Sequence, residues 1–304
     1  MTEIKEWQME PLDKWWPYRL ERDRRILHGH NKRTEMTNKE KISVLSLGWG
    51  VQSWTMVAMM AFDELQRADY VLHSDTTFER SATYEFAAKM TPWLGERGVD
   101  VVTVKGKWLD VMWQQDSPSI MIPAIVKKPD GSKGQMMRQC TSNWKIAPIR
   151  RYIRERLKDH KIKIAPNVVQ MMTGITTDEI QRMRDSDVQW SENVYPLIDR
   201  GMSRMDCITW LESKDLPVPH KSACTFCPYS NERTWMELKR NGGTDWDMAV
   251  QIDANLRNKR KDPAFVHPSG KPLPEAIAIP EDYGASQPSL FDDIEACDSG
   301  FCWT

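Results

Sequence analysis

The chain has no run of about 18 apolar residues, so no membrane-spanning helix is expected. Its first stretch is charged and tryptophan-rich and lacks an apolar core segment, so a secretory signal is not expected either. No internal repeat and no low-complexity tract is present. Charge of one sign is not in excess: 42 lysines and arginines face 43 aspartates and glutamates, for a formal net charge of -1. That balance gives no global reason to expect nucleic acid. Cysteine is scarce, six in 304 residues. Without an export signal this points to a reducing compartment, the cytoplasm, where thiols are metal-binding, catalytic or buried rather than disulfide-bonded. The length suits one large domain or two modest ones.

What is present is organised around Lys41 to Ser53. An apolar run, Ile42 to Leu45 with Leu47, is followed by Gly48 and Gly50 and then by a helical pattern from Val51 to Leu65. This predicts a buried strand, a tight turn and a helix start. Glycines allow a turn to take positive φ and a ligand to approach the backbone. The open N–H groups and dipole of a helix start favour an anion. The alternative is an ordinary strand–helix turn. The stretch matches neither Gly-x-x-x-x-Gly-Lys-Ser/Thr nor Gly-x-Gly-x-x-Gly.

Strand and helix signals then alternate. Strands are expected at 69–74, 100–104 and 168–173, and helices at 81–97 and from 145 to 158. The fold class expected is α/β: a doubly wound, mostly parallel sheet with helices on both faces and a C-terminal helical, cysteine-rich part. Ligands in such sheets bind outside the carboxyl ends of the strands. The domains read as an arm over 1–40, a nucleotide-binding domain over 41–200, a helical cysteine subdomain over 201–262 and a loop and tail over 263–304. In the arm, Trp7, Trp15, Trp16 and Tyr18 alternate with arginines, a pattern that stacks on bases or simply packs on a neighbour. The stretch 117–139 holds Pro118, Pro123, Pro129, Gly131 and Gly134 and reads as a long mobile loop or lid.

Asp75, after the second strand, falls near the ligand crevice, or caps the helix that follows. Lys145 and Arg150 lie in a helix rich in cations that could clamp phosphates, or simply be solvated. Gly174 falls at a strand end. Thr177 or Asp178 can cap the next helix. Cys224-Thr-Phe-Cys227-Pro places two sulfurs on one tight loop, as metal sites and iron–sulfur loops do. It also suits a redox dithiol. With Cys140 and Cys207 the thiolates number four, enough for a tetrahedral Zn2+ or a [4Fe–4S] cluster. A three-cysteine cluster with an open position, and plain thiols, are the other readings. His267 to Leu273 reads as a loop, with Lys271 a weak phosphate candidate. Cys297 and Cys302 sit in an acidic tail as a mobile thiol pair or as spare cysteines.

From Lys41 to Tyr229 the chain resembles the phosphoadenosine phosphosulfate (PAPS) reductase-like branch of the PP-loop ATP pyrophosphatases, the adenine nucleotide alpha hydrolase-like superfamily. The PP-loop usually reads Ser-Gly-Gly-x-Asp-Ser, and Gly48, Trp49, Gly50, Val51, Gln52 and Ser53 align with it, Gln52 in place of Asp as in that branch. Trp49 stands where glycine is usual, and an indole there would obstruct a phosphate. Asp75-Thr76-Thr77-Phe78-Glu79 is similar to the branch's Asp-Thr-Gly/Thr-x-x-Glu segment, which implies a role in holding the nucleotide or its metal. Cys140-Thr, Lys145-Ile and Pro148-Ile resemble its Cys-Thr-x-x-x-Lys-Ile-x-Pro-Ile, and Gly174-Ile with Asp178-Glu179 and Arg182 its Gly-Ile-x-x-Asp-Glu-x-x-Arg. The resemblance implies ATP, or PAPS, with Mg2+. The nucleotide would be held by Ser46, Gly48, Trp49, Gly50, Gln52, Ser53, Asp75, Thr76, Lys145, Gly174 and Arg182. Asp75 and Asp178 would be catalytic, with Cys297 and Cys302 as tail nucleophiles.

The activity expected is adenylation of an acceptor with release of pyrophosphate, coupled to sulfur transfer onto a nucleic acid or small molecule. A sulfur-donor or thiol-reductant protein is an expected partner, and a homo-oligomer an expected state. Two alternatives stand: a thiol-dependent PAPS or adenylylsulfate reductase, and a non-catalytic nucleotide- or partner-binding module stapled by zinc.

Overall fold

The computed structural model describes residues 41–279 apart from Trp108 and Gln115. The arm over 1–40, the tail beyond residue 279, and with it Cys297 and Cys302, lie outside the described residues.

The alternation of short apolar runs and helices builds a five-stranded parallel sheet. The chain enters through β1 (Ile42–Ser46), α1 (Val51–Ala61), β2 (Tyr70–Asp75), α2 (Ser81–Glu96) and β3 (Val101–Lys105). It returns through a π-helical turn (Thr141–Ile146), α3 (Ala147–Asp159), β6 (Val169–Met172) and β7 (Ser191–Val194). The strand order is β3-β2-β1-β6-β7, with β1 pairing in parallel to both β2 and β6. The order therefore reverses between β1 and β6, where a doubly wound sheet opens its ligand crevice. This α/β fold agrees with the reading of the sequence.

Two apolar cores form. The first joins Leu45 and Leu47 of β1 to Trp54, Met56 and Val57 of α1, Met90 and Leu94 of α2, and Cys207 and Leu211 of α5 (Arg204–Ser213). Cys207 and Leu211 stand four residues apart, so one helix face buries both. The second core gathers α6 (Glu232–Asn241) and α7 (Gly243–Arg257) with Phe78, Trp144 and Phe226. Between α3 and α5 lies the short helix α4 (Pro196–Asp199). The last described helix is α8 (Leu273–Ala276).

The stretch 117–139 is not a structureless lid. It contains β4 (Ile125–Lys127) and β5 (Lys133–Gln135), an antiparallel hairpin, and β4 also pairs with β8 (Ala264–Phe265). Ile120, Ile122 and Ala124 enter the second core, which its prolines and glycines do not prevent. The preceding segment is pinned by Lys259, whose buried ammonium donates to the carbonyls of Val111 at 2.8 Å, Ser117 at 3.1 Å and Gln114. Burial lowers the pKa of that lysine. The described part of the C-terminal loop, through Ala264, Val266 and Leu273, fills the same core. No helix among the described residues is long and apolar enough to cross a membrane.

Candidate functional site

At the carboxyl edge the backbone departs from the expectation set by the glycines. Neither Gly48 nor Gly50 has positive φ; Trp49, between them, does, at φ 59°. Left-handed backbone at a residue with a large side chain costs roughly 1 kcal/mol. The burial of the indole offsets it. Trp49 is 2% exposed, stacks on Trp54 with ring centroids 6.3 Å apart, and meets His73 and Phe86 edge-on. The indole thus points into the first core instead of lying over the turn. Gly50 caps α1 without a side-chain hydrogen bond, and the first turn holds no acid. Its first N–H groups therefore have no side-chain cap, as at helix starts that take an anion.

Ser53 braces the loop, its hydroxyl accepting from Gly48 N–H at 3.2 Å and donating to Gly50 carbonyl at 3.3 Å. Gly174, after β6, is glycine for a packing reason: a Cβ there would stand 2.9 Å from Ser53 nitrogen and 3.1 Å from Gln52 Cβ. Ser46, the last residue of β1, and Thr176, four residues past β6, are buried, and their hydroxyls have no hydrogen-bond partner among the described residues. Both flank the crevice, and buried hydroxyls are seldom left so.

Three buried carboxylates line this edge. Asp75 accepts from Thr77 N–H at 2.8 Å and Tyr84 hydroxyl at 2.9 Å, with Lys105 at 3.4 Å. Glu79 faces Lys145 at 3.3 Å and accepts from Thr76 hydroxyl at 3.3 Å. Glu179 meets Arg182 at 2.5 Å and Gln52 at 3.4 Å. Each buried carboxylate thus has a cation beside it, and removing either partner would leave a buried charge uncompensated. Burial, then the charges of Asp75 and Glu79, push the Tyr84 phenol well above its ordinary value, so it remains a donor. Thr77 also has positive φ, 64°, unusual for a β-branched residue. Lys145 is aimed by the π-helical turn, a feature often found at functional sites.

The loop of Cys224 and Cys227 is sewn to both of these loops. Arg80 N–H donates to Ala223 carbonyl at 3.2 Å and Thr225 N–H to Phe78 carbonyl at 2.8 Å. Ser222 hydroxyl donates to Gly48 carbonyl at 2.7 Å and lies 3.4 Å from Glu79. Cys224 sulfur stands 3.7 Å from Thr76 Oγ1. The Cys224 thiol thus meets the Asp75–Glu79 loop through Thr76, while Ser222 of the same loop reaches the glycine turn.

The four cysteines do not meet. Cys140 and Cys224 both pack against the second core, whereas Cys207 is fully buried in the first. Burial pushes the Cys207 thiol up to about 12, so it is a neutral core residue beside Thr55. Among the described residues no group of three or more His, Cys, Asp or Glu side chains could hold a metal ion. Among the described residues the four thiols therefore do not gather into one donor set for a [4Fe–4S] cluster or Zn2+. A magnesium ion arriving with a nucleotide asks less, one or two carboxylates with phosphate oxygens supplying the rest, and Asp75 and Glu79 are of that type.

Asp178 is exposed and accepts from Arg204 N–H at 3.1 Å, so it caps the start of α5 rather than lining the crevice. Arg150, the other helix cation singled out, pairs with Asp187. Tyr84, Lys105 and Ser222 are not among the residues the sequence singles out, whereas Glu79 closes the Asp-Thr-x-x-Glu segment that begins at Asp75.

No family profile matches the chain, and no curated protein matches it. Among solved structures it is similar to the U34-tRNA thiolase NcsA from Methanococcus maripaludis with its [4Fe-4S] cluster, at 15% identity over 73% of this chain and 72% of that chain, with a TM-score of 0.33. The α/β assignment rests on the sheet itself.

Proposed function

We propose that the protein is an enzyme that binds an adenine nucleotide at the β1/β6 crevice and adenylates an acceptor, releasing pyrophosphate, as the first half of a sulfur transfer. The acceptor is a nucleic acid or a small molecule. The observation that carries this reading is the junction of three loops distant in sequence: Gly48–Ser53, Asp75–Glu79 and Ser222–Cys227. It brings an anion-binding helix start, paired carboxylates and a thiol to one edge.

In this reading the open amides of α1, with Ser46 and Ser53, hold the phosphates. Lys145 and Lys105 neutralise charge as it develops on the leaving pyrophosphate, and Asp75 with Glu79 hold Mg2+. An acceptor oxygen attacks the α-phosphorus and the bond to pyrophosphate breaks. A sulfur nucleophile then attacks the carbon bearing the adenylated oxygen, and AMP leaves. Cys224 would take that sulfur as a persulfide, its thiolate attacking the outer sulfur of a donor protein's persulfide and releasing the donor thiol. Once this persulfide has attacked the carbon, Cys227 would cleave the disulfide to the product, and a thiol-reductant protein would reduce the Cys224–Cys227 disulfide left behind.

The test is pyrophosphate release from ATP with candidate acceptors. Ser53→Ala and Glu79→Gln should abolish it. Cys224→Ser should keep release but lose sulfur incorporation. If no acceptor elicits release, and replacing Cys297 and Cys302 ends sulfite formation from PAPS or adenylylsulfate, the protein is instead a thiol-dependent reductase.

A further inference from the structure

We propose that the outward face of α3 is a docking track for the phosphate backbone of a nucleic-acid strand. α3 turns Ile149, Ile153 and Leu157 inward at a spacing of four. The other side is cationic. Ser142, Arg150, Arg151, Arg154, Glu155 and Lys158 line an open groove of 570 Å³. From Lys145 to Lys163 the chain carries eight lysines and arginines against two carboxylates, in a protein whose formal net charge is -1. Positive charge is therefore gathered here.

Three of the eight are engaged, Lys145 with Glu79, Arg150 with Asp187 and Arg156 with Asp159. Arg151, Arg154 and Lys158 are exposed and have no ion-pair partner among the described residues. Side chains four apart on a helix are neighbours, and like charges so placed repel. A polyanion laid along the row removes that repulsion and releases its own counterions. A lipid surface fits less well, because α3 itself exposes no large apolar side chain to enter a bilayer, and Ile164 lies beyond its end. The row spans about 20 Å. It starts at the π-helical turn whose Lys145 reaches Glu79, so a strand held on it is led to the carboxyl edge. That destination rests on the function proposed above; the docking does not.

The test is fluorescence anisotropy of a short labelled RNA, and of DNA of the same sequence, with the full chain over a range of salt. The wild type should bind at least one strand, with affinity falling steeply as salt rises. The triple variant R151Q/R154Q/K158Q should bind at least tenfold more weakly and lower the slope of log affinity against log salt by about two, since each strand phosphate contact contributes roughly 0.7. Glutamine is a good helix former, so α3 should persist. The triple variant K89Q/K128Q/K261Q removes equal charge elsewhere and should bind like the wild type. Equal loss in both variants, an unchanged slope in the first, or binding only to phosphatidylserine vesicles overturns the track. Because the readout needs no ATP, a protein with the expected slope but no pyrophosphate release refutes the adenylation reading alone. Release without the slope refutes the track alone.

Discussion

Ser222 donates its hydroxyl hydrogen to the carbonyl of Gly48 at 2.7 Å, across 174 positions of sequence. This bond joins the cysteine loop to the glycine turn. A bond of this kind contributes about 1 kcal/mol net. Ser222→Ala is therefore expected to weaken ATP binding about fivefold while shifting the melting temperature by only a few degrees. Calorimetric titration with ATP checks it, and an unchanged affinity would show that the tie serves folding alone.

Glu79 and Lys145 are both largely buried, with 3% and 15% of their side chains exposed. Removing one partner leaves a charge without its neighbour, at a cost on the order of 3 kcal/mol. Glu79→Gln and Lys145→Met are each expected to lower stability strongly, and the double variant by less than their sum. Urea unfolding of the four proteins measures the coupling; strict additivity would mean the ion pair is not formed.

Cys207 is expected to resist alkylation at pH 8, where Cys224 reacts, because its thiol is held at about 12. The sign for stability follows. A thiol whose folded pKa lies above its unfolded value favours folding fully below pH 9, and the contribution is lost as pH rises from about 9 towards 12. Cys207→Ala should therefore flatten the alkaline limb of stability. It should leave iron and zinc content as in the wild type. A fall in bound metal in that variant would restore Cys207 as a ligand.

His73 is buried with its Nδ1 3.0 Å from Leu47 carbonyl, which can only accept, so the neutral ring carries its hydrogen there. Burial lowers its pKa below 6.5. Its contribution to stability is present above pH 6.5 and is lost as pH falls through the lower folded value. The difference in unfolding free energy between pH 7 and pH 5 should shrink in His73→Gln. A ring titrating near 6.5 by NMR in the native protein would contradict this.

Much of the fold was legible because its signals are local. Apolar runs such as Ile42–Leu47, bounded by glycine and followed by helical periodicity, specify strand, turn and helix within a few residues of each other. The parallel sheet follows, and with it the edge where Asp75, Lys145 and Gly174 belong. The pairing of Cys207 with Leu211 four residues on also marked a core face, a plainer sign than metal ligation. The hairpin within 117–139 was hidden because its partner, β8, lies far along the chain.

The sequence alone determined strands β1, β2, β3 and β6 and the helices that follow β1 and β2, because side-chain period and turn chemistry act over short distances. Only the tertiary structure decided that Trp49 turns its indole inward, that Cys207 leaves the other cysteines, and that Ser222 reaches Gly48. Those outcomes depend on which buried surfaces meet. The free energy of burial is set by the whole packed arrangement, and no window of neighbouring residues contains it.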